Sequence, residues 1–377
     1  MSRVRVAMVC PYSLSRPGGV QGQVEGLARA LGDVGVDAFV VAPADDRALG
    51  LHGTTFVAGR STGLRANGSV APVALSPGAA VRALRFTRHA DADLVHLHEP
   101  MAPALGYACL ARSRVPLIGT YHRSGDTNWY RALGPAARWA NGRLAVRCAV
   151  SESAARTARR AMGGEYEVLF NGVEVERYMA APGPAGGPPS VLFLGRHEER
   201  KGLRVLLEAF ATVPGDAVLW VAGDGPATAA LQSRFPASGR VQWLGVVSED
   251  EKLARLGAAD VVCAPSLGGE SFGVVLVEAM AARCAVVASD IEGYRAAADG
   301  LAVLVPPGDP EALATALEGV LAEVASGNGR GGPAALEAGV ARAQEWSMDR
   351  LAARYAALYE RALGRATGGS GTTLGRP

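Results

Sequence analysis

The chain has 377 residues, 49% of them hydrophobic and 20% charged, with a formal net charge of +2 at pH 7. That length suits two domains of ordinary size with packed cores. The near-neutral balance, with no basic face interleaved with aromatics, argues against nucleic acid as a partner.

Cys10, Cys109, Cys148, Cys263 and Cys284 are odd in number and widely spaced. The pattern fits neither a disulfide framework nor a metal site and suits a reducing cytosol. Lys201 and Lys252 are the only lysines, so nearly all positive charge is arginine. No stretch approaches the roughly 20 apolar residues of a spanning helix, and the chain is expected to be soluble or peripheral.

The first predicted strand covers residues 4–10. The glycine turn Pro17-Gly18-Gly19-Val20-Gln21 follows, then a helix through Val24, Leu27, Ala28 and Leu31 at helical spacing. Strand, glycine turn and helix form a β–α unit of nucleotide-binding type, in which the glycines let backbone approach a phosphate or a sugar. A second strand runs from Val36 to Ala42, and Asn67-Gly68-Ser69 marks a hairpin turn within residues 53–75. Residues 78–90 read as a helix carrying Arg82, Arg85 and Arg88 at three-residue spacing. That stripe is either a solvated face or a contact to an anionic membrane.

Two further strands, at 93–98 and 115–121, end in polar residues: His96, His98 and Glu99 on the first, His122 on the second. In open α/β sheets the carboxyl ends of strands bind ligands. Another strand lies within residues 144–150, with Ser151 as the cap of the next helix. Asn171-Gly172-Val173 precedes the Pro/Gly-rich segment 181–189, which reads as the linker between a domain of residues 1–180 and one of residues 190–345.

The β–α pattern then restarts. Strands are predicted at 190–195, 217–222, 240–244, 260–265, 285–289 and 301–305, and helices at 203–213 and 311–324. A flexible glycine-rich break is expected at 327–332, an amphipathic helix within 346–365 that packs back on the first domain, and a disordered tail at 366–377. The loop after the strand at 190–195 holds Arg196 and Lys201, five residues apart. After the strand at 260–265, a glycine turn leads from Gly268 through Glu270 into an apolar helix carrying Glu278. Eight residues is just over two helical turns, so the two glutamates are expected on one side. They either cap a buried helix and reach solvent, or address a ligand.

The second set of groups suits a sugar diphosphate. Arg196 grips phosphate bidentately, Lys201 adds a point charge, and the helix N-terminus after Gly273 adds unpaired N–H groups. Such preplaced charge stabilises a departing diphosphate. No Asp-x-Asp clamp accompanies these elements, so a divalent metal is possible but not demanded. A Walker lysine loop, a Gly-x-Ser-x-Gly elbow and dinucleotide glycine spacing are all absent.

The glycine turn at 17–21, Asn171-Gly172-Val173, the Gly195-Arg196 to Lys201-Gly202 loop and Glu270-x7-Glu278 stand in the order seen in family 4 retaining glycosyltransferases. The chain resembles that family from about residue 4 to residue 360, and within it the actinobacterial phosphatidylinositol α-mannosyltransferases. The resemblance implies a GT-B fold: two Rossmann-like α/β domains facing each other across a cleft. It implies GDP-mannose as donor, an inositol phospholipid as acceptor, and a cytoplasmic site on the inner membrane face. By the same resemblance Gly19, Arg196 and Lys201 meet the diphosphate. Glu270, Phe272, Gly273, Val274 and Val275 border the sugar and its phosphates, Glu278 meets the ribose, and Val247 and Glu249 the base. His122 stands by the reacting sugar, and Tyr12, Gln21 and Asn67 by the acceptor. His122, Arg196, Lys201 and Glu270 are the implied catalytic group. The base position carries Glu249 where the family carries aspartate, and the membrane-facing helix carries arginines in place of lysines. The alternatives are a family 4 enzyme using a UDP-sugar with a soluble or other lipid acceptor, and a non-catalytic nucleotide-sugar-binding protein.

Overall fold

A computed structural model describes residues 3–15, 18–45, 55–66, 69–125, 134–181, 183 and 186–364, with side chains omitted at 64–66 and 69–71. Pro17, Asn67, the sequence 126–133, the linker prolines Pro182 and Pro184 and the tail lie outside the described residues.

The chain opens with β1 (Val4–Val9), α1 (Gly19–Asp33), β2 (Val36–Pro43), β3 (Thr55–Gly59) and the strands β4 (Thr62–Ala66) and β5 (Ser69–Val73). It continues through α2 (Pro77–His89), β6 (Leu94–His98), α3 (Leu105–Arg112), β7 (Leu117–Tyr121), α4 (Gly134–Gly142), β8 (Val146–Ala149), α5 (Glu152–Met162), β9 (Glu167–Val168) and α6 (Val175–Met179). The second half begins with β10 (Ser190–Leu194), α7 (Leu203–Thr212), β11 (Val218–Ala222), α8 (Thr228–Arg234), β12 (Val241–Gly245), α9 (Glu249–Ala258) and β13 (Val261–Ala264). It ends with α10 (Val274–Ala281), β14 (Ala285–Ser289), α11 (Glu292–Ala298), β15 (Val303–Val305), α12 (Pro310–Ser326), α13 (Pro333–Glu345) and α14 (Met348–Ala362).

Seven strands form one sheet in the order β3-β2-β1-β6-β7-β8-β9, and six form a second in the order β12-β11-β10-β13-β14-β15. Both sheets are parallel throughout, whereas β4 and β5 pair antiparallel as the expected hairpin. Parallel strands are covered on both faces, which is why they read as nearly unbroken apolar runs; every residue of β7, β13 and β14 is buried. Serine hydroxyls accept from the first turns of α2, α5, α9 and α14, at Ser76, Ser151, Ser248 and Ser347.

The topology fixes where ligands bind. In the first sheet the chain runs outward from β1 to β3, then returns to place β6 on the other side of β1. In the second it runs outward from β10 to β12 and returns to place β13 beside β10. Each reversal is a switch point, where the loops leaving two adjacent strands diverge and open a crevice. His98, Glu99 and His122 lie at the ends of β6 and β7 in the first sheet, and Arg196, Lys201 and Glu270 follow β10 and β13 in the second.

Backbone pairing and an ion pair are among the contacts that tie the halves. The segment after β9 pairs with the start of α14, since Val173 N–H donates to Trp346 O at 2.9 Å and Met348 N–H to Val173 O at 2.9 Å. Arg156 on α5 pairs with Glu292 on α11. One apolar core, including Val6, Leu94, Ile118, Val262, Leu276, Leu351 and Tyr355, runs through both sheets and takes in α14.

Two expectations are corrected. The helix bearing Glu278 starts at Val274, so Glu270 belongs to the loop, and helical spacing does not relate the two glutamates. The break at 327–332 is not loose: Gly329–Gly331 forms one turn of 3-10 helix, and a Cβ at Gly331 would lie 2.4 Å from the Val324 backbone.

Candidate functional site

At the second switch point, two loops are zipped together. Leu267 N–H donates to Arg200 O at 2.7 Å. Gly202 has φ +69°, and a Cβ there would lie 1.9 Å from Pro265 O, so only glycine lets the β10 loop close on the β13 loop. Into this frame Glu198 sends a carboxylate that is 5% exposed. Its Oε1 accepts from Arg196 Nε at 2.8 Å and its Oε2 from Arg200 Nε at 3.0 Å. Arg200 Nη1 and Lys201 Nζ then converge on Glu270 Oε1, at 2.8 and 2.7 Å. Three cations are thus held by two carboxylates. In the sequence Glu198 and Arg200 carry no signal beyond charge in a loop, because nothing local marks Glu198 as buried.

The loop from Gly268 to Gly273 delivers its chain into α10. Gly273 caps that helix at φ +96°, and a Cβ there would meet the Tyr294 ring at 2.7 Å. The first N–H groups of α10, at Val274 and Val275, lie beyond the reach of intrahelical acceptors. The Phe272 ring is buried, 4.8 Å from Trp346, which also packs edge-on to Phe170 at 4.6 Å. Any ligand contact at residue 272 therefore falls to its backbone.

Further along α10, Glu278 is buried. Its Oε1 receives the Tyr178 hydroxyl at 2.8 Å and Lys252 Nζ at 2.8 Å. Glu249 is the exposed first residue of α9, with Oε2 3.7 Å from Lys252 Nζ, and Val247 is half-buried just before it. The carboxylate beside Lys252 holds its ammonium above the usual lysine range, although burial alone would lower it. Glu249, Lys252 and Glu278 make one cluster, with Val247 two residues before Glu249 in the chain. Lys252 was noted in the sequence only for its rarity.

At the first switch point, Gly18 is extended at φ −171° and precedes α1. Gln21 Nε2 donates to Ser13 O at 3.2 Å, holding the loop that carries Tyr12 against the start of α1. Burial first, and then the Glu99 carboxylate, push the Tyr12 phenol upward. Asn67 is outside the described residues.

The histidines are layered beneath this loop. His96 is buried, with Nδ1 2.9 Å from the Tyr359 hydroxyl and Nε2 2.8 Å from Thr120 Oγ1. Thr120 Oγ1 is also 2.8 Å from the Tyr355 hydroxyl. Both tyrosines come from α14, which thereby locks onto the first sheet. The His98 ring stacks 4.3 Å from His96, and its Nδ1 is 3.0 Å from His122 Nε2. Glu99 Oε1 accepts the His122 backbone N–H at 2.5 Å. Burial pushes His96 and His122 down to about 3 and His98 well below the usual imidazole range, so all three rings are neutral at pH 7.

Residues 17–177 match the family described as Glycosyltransferase Family 4, and residues 188–323 match Glycosyl transferases group 1. Over 332 residues the chain is 40% identical to the phosphatidyl-myo-inositol mannosyltransferase of Mycobacterium leprae, covering 84% of this chain and 87% of that one. The chain belongs to glycosyltransferase family 4. Over 376 residues it is 36% identical to the phosphatidyl-myo-inositol mannosyltransferase of Mycobacterium tuberculosis, covering 96% of this chain and 98% of that one. Its fold matches that of Anabaena HepE in complex with UDP and glucose, with a TM-score of 0.77 at 20% identity, over 95% of this chain and 100% of that one. The architecture is therefore GT-B, and the chain is a glycosyltransferase. Among the described residues no helix is long and apolar enough to cross a membrane.

In this family-4 enzyme the two switch points supply different chemistry. The second offers cations and helix N–H groups to anionic oxygens. The first holds a neutral imidazole, a phenol and the Gln21 amide, groups suited to hydroxyls.

Proposed function

We propose that the enzyme transfers a mannosyl group, with retention of configuration, from GDP-mannose to a phosphatidyl-myo-inositol-type lipid, peripherally at the cytoplasmic face of the membrane. The observation that carries this reading is the cluster of Arg196, Arg200 and Lys201, pinned by Glu198 and Glu270 beside the N-terminus of α10. The names of the mycobacterial relatives supply the substrate classes.

In the transfer, the bond between sugar C1 and the β-phosphate oxygen breaks. An inositol hydroxyl oxygen forms the new bond to C1 on the same face, and its proton passes to the departing phosphate oxygen. Charge grows on that phosphate, and Arg196, Lys201, Gly19 and the N–H groups of Val274 and Val275 receive it without reorganising. Glu270 Oε1 is committed to the two cations. Its other oxygen takes sugar hydroxyls, so Glu270 positions the sugar and is not a covalent nucleophile. Glu278 likewise keeps one oxygen for Tyr178 and Lys252 and offers the other to the ribose. Val247 and Glu249 border the base. His122 stands by the reacting sugar, and Tyr12, Gln21 and Asn67 hold the acceptor.

Exposed Arg85, Arg88 and Val81 on α2 face the anionic lipid surface. Arg82 has a different task, because its Nε donates to Ala58 O at 2.6 Å and ties α2 to β3.

A donor-by-acceptor screen tests the reading, with GDP-mannose and UDP-sugars against phosphatidylinositol vesicles and soluble inositol phosphate. Turnover of GDP-mannose with the vesicles is expected. Turnover only of a UDP-sugar, or only with the soluble acceptor, would overturn it.

A further inference from the structure

The residues that hold His122 form an arrangement of their own. His98 and Glu99 are consecutive at the end of β6, and each grips a different part of His122: His98 Nδ1 meets the ring at 3.0 Å, and Glu99 Oε1 takes the backbone N–H at 2.5 Å. Glu99 adopts φ +49°, a conformation unfavourable to a non-glycine residue that persists only where the surroundings demand it. Its own N–H donates to Thr120 O at 2.8 Å, so the turn is bonded at both ends to β7 and the residue following it.

The proton arrangement follows from what surrounds His98. The residue is 3% exposed, and its Nε2 is buried with no hydrogen-bond partner among the described residues. His96 cannot help, because both its ring nitrogens are engaged elsewhere. A neutral His98 must carry its single proton at Nδ1 or at Nε2. A proton at Nε2 would be a buried orphan N–H, the rarer defect, whereas a bare Nε2 leaves only an unused lone pair. The proton therefore belongs on Nδ1, where it has an acceptor 3.0 Å away in His122 Nε2. His122 Nε2 must then be unprotonated, and neutral His122 carries its proton on Nδ1. That nitrogen has no protein partner among the described residues and is not among the buried unpaired atoms.

We propose that His98 is a positioning residue that fixes His122 as its neutral Nδ1–H tautomer, so that the ring offers the sugar-transfer centre a hydrogen-bond donor and not a base. The proposal rests on the reading of His122 beside the reacting sugar. It fits a transfer in which the leaving phosphate takes the acceptor's proton, since a His122 donor can bond a sugar oxygen but cannot remove a proton through that nitrogen.

The test has a spectroscopic arm and a kinetic arm. In protein labelled with 15N-histidine, with His122 assigned by its loss in His122→Ala, long-range 15N–1H correlation should show the proton on Nδ1 between pH 6 and 8. A His122 protonated on Nε2 would overturn the proposal without reference to activity. In the kinetic arm, His98→Leu should lower kcat by about tenfold or more with the donor KM little changed, the scale of losing a group that orients a functional side chain. An asparagine amide reproduces the Nδ1 donor and a glutamine amide the Nε2 position. His98→Asn should therefore recover most of the loss, and His98→Gln should not. Equal impairment of the Leu, Asn and Gln variants would also overturn the proposal. Full turnover by His122→Ala would instead overturn the reading of His122, and the tautomer would still decide the geometry.

Discussion

The hydroxyl of Tyr178, on the short helix that follows the first sheet, donates to Glu278 Oε1 at 2.8 Å on the helix that opens beside the cation cluster of the second. Lys252 Nζ shares that oxygen at 2.8 Å and lies 5.5 Å from the centre of the Tyr178 ring. A group assigned to the nucleotide is thus also a fastening between the hinge segment and the donor side. Removing one member of a buried pair leaves the other charge uncompensated, at a cost of about 3 kcal/mol or more. Lys252→Met should therefore lower the urea midpoint clearly. Lys252→Met with Glu278→Leu should restore much of the stability while leaving donor binding weak. A double variant as unstable as Lys252→Met alone would show that the pair is not what holds this region.

This fastening explains part of what the sequence conceals. Both switch points are legible because their signals are local: Gly18-Gly19 after β1, Arg196 and Lys201 after β10, and the glycines around Glu270 after β13 each lie in the loop that leaves the strand. Tyr355 and Tyr359 are different. Their spacing marks a buried helix face, yet their partners Thr120 and His96 are 235 and 263 residues away, and periodicity carries no information across that distance. Tyr178 and Glu278 are separated by 100 residues in the same way. The Glu270–Glu278 spacing misleads for a local reason. It is compatible with a helix, but Gly273 at φ +96° starts the helix only at Val274, and Gly268, Gly269 and Gly273 already mark the turn.

The cation cluster gives a second prediction. Arg196 and Arg200 are each half-exposed but share one buried carboxylate, Glu198. Lys201→Ala and Glu270→Ala should each cut turnover by about 10²-fold or more, the scale of losing one electrostatic group at a reacting centre. Arg200→Ala should be nearly as severe, because it leaves Glu270 held by Lys201 alone and strips the buried Glu198 Oε2 of its Arg200 partner. Glu198→Gln removes no cation, so it should raise the donor KM more than it lowers kcat. Steady-state kinetics with varied donor separates these outcomes, and an Arg200→Ala enzyme of normal kcat/KM would refute the role given to that residue.

The histidines predict a pH dependence of stability. The folded-state values of His96, about 3, and of His98 lie below the ordinary imidazole value near 6.5. The unfolded chain therefore binds more protons than the folded one across that interval. Neutral burial contributes fully above about pH 6.5, and its contribution is lost as pH falls below that value. Once below it, each buried ring should cost about 1.4 kcal/mol per pH unit. The neighbours facing the pair are the neutral Thr120, Tyr355, Tyr359 and His122, with the Glu99 carboxylate engaged on the His122 backbone. Most carboxylates titrate nearer pH 4, so imidazoles dominate between pH 6.5 and 5. Urea midpoints measured over that window should fall with acid, and His96→Asn should flatten the slope. An unchanged slope would mean the rings are not buried neutral.

The membrane face gives the last prediction. On α2 all three arginines are exposed, but Arg82 is held down, its Nε donating to Ala58 O at 2.6 Å. Arginines held near an anionic surface contribute about 1 kcal/mol each, and the attraction decays within a Debye length of about 10 Å at 0.1 M salt. Co-sedimentation with vesicles containing anionic lipid should therefore weaken as salt rises and should drop in Arg85→Glu with Arg88→Glu. The same pair of changes should leave the thermal midpoint and the turnover of a detergent-dispersed acceptor nearly unaltered, because the hydrogen bond lost from Arg88 Nη2 to Arg112 O is long, at 3.4 Å, and exposed. Arg82→Ala should do the reverse, loosening α2 from β3 and lowering the thermal midpoint with little effect on vesicle binding. If all three changes affect vesicle binding equally, α2 is not oriented toward the lipid as assigned, and the contact must be sought on another face.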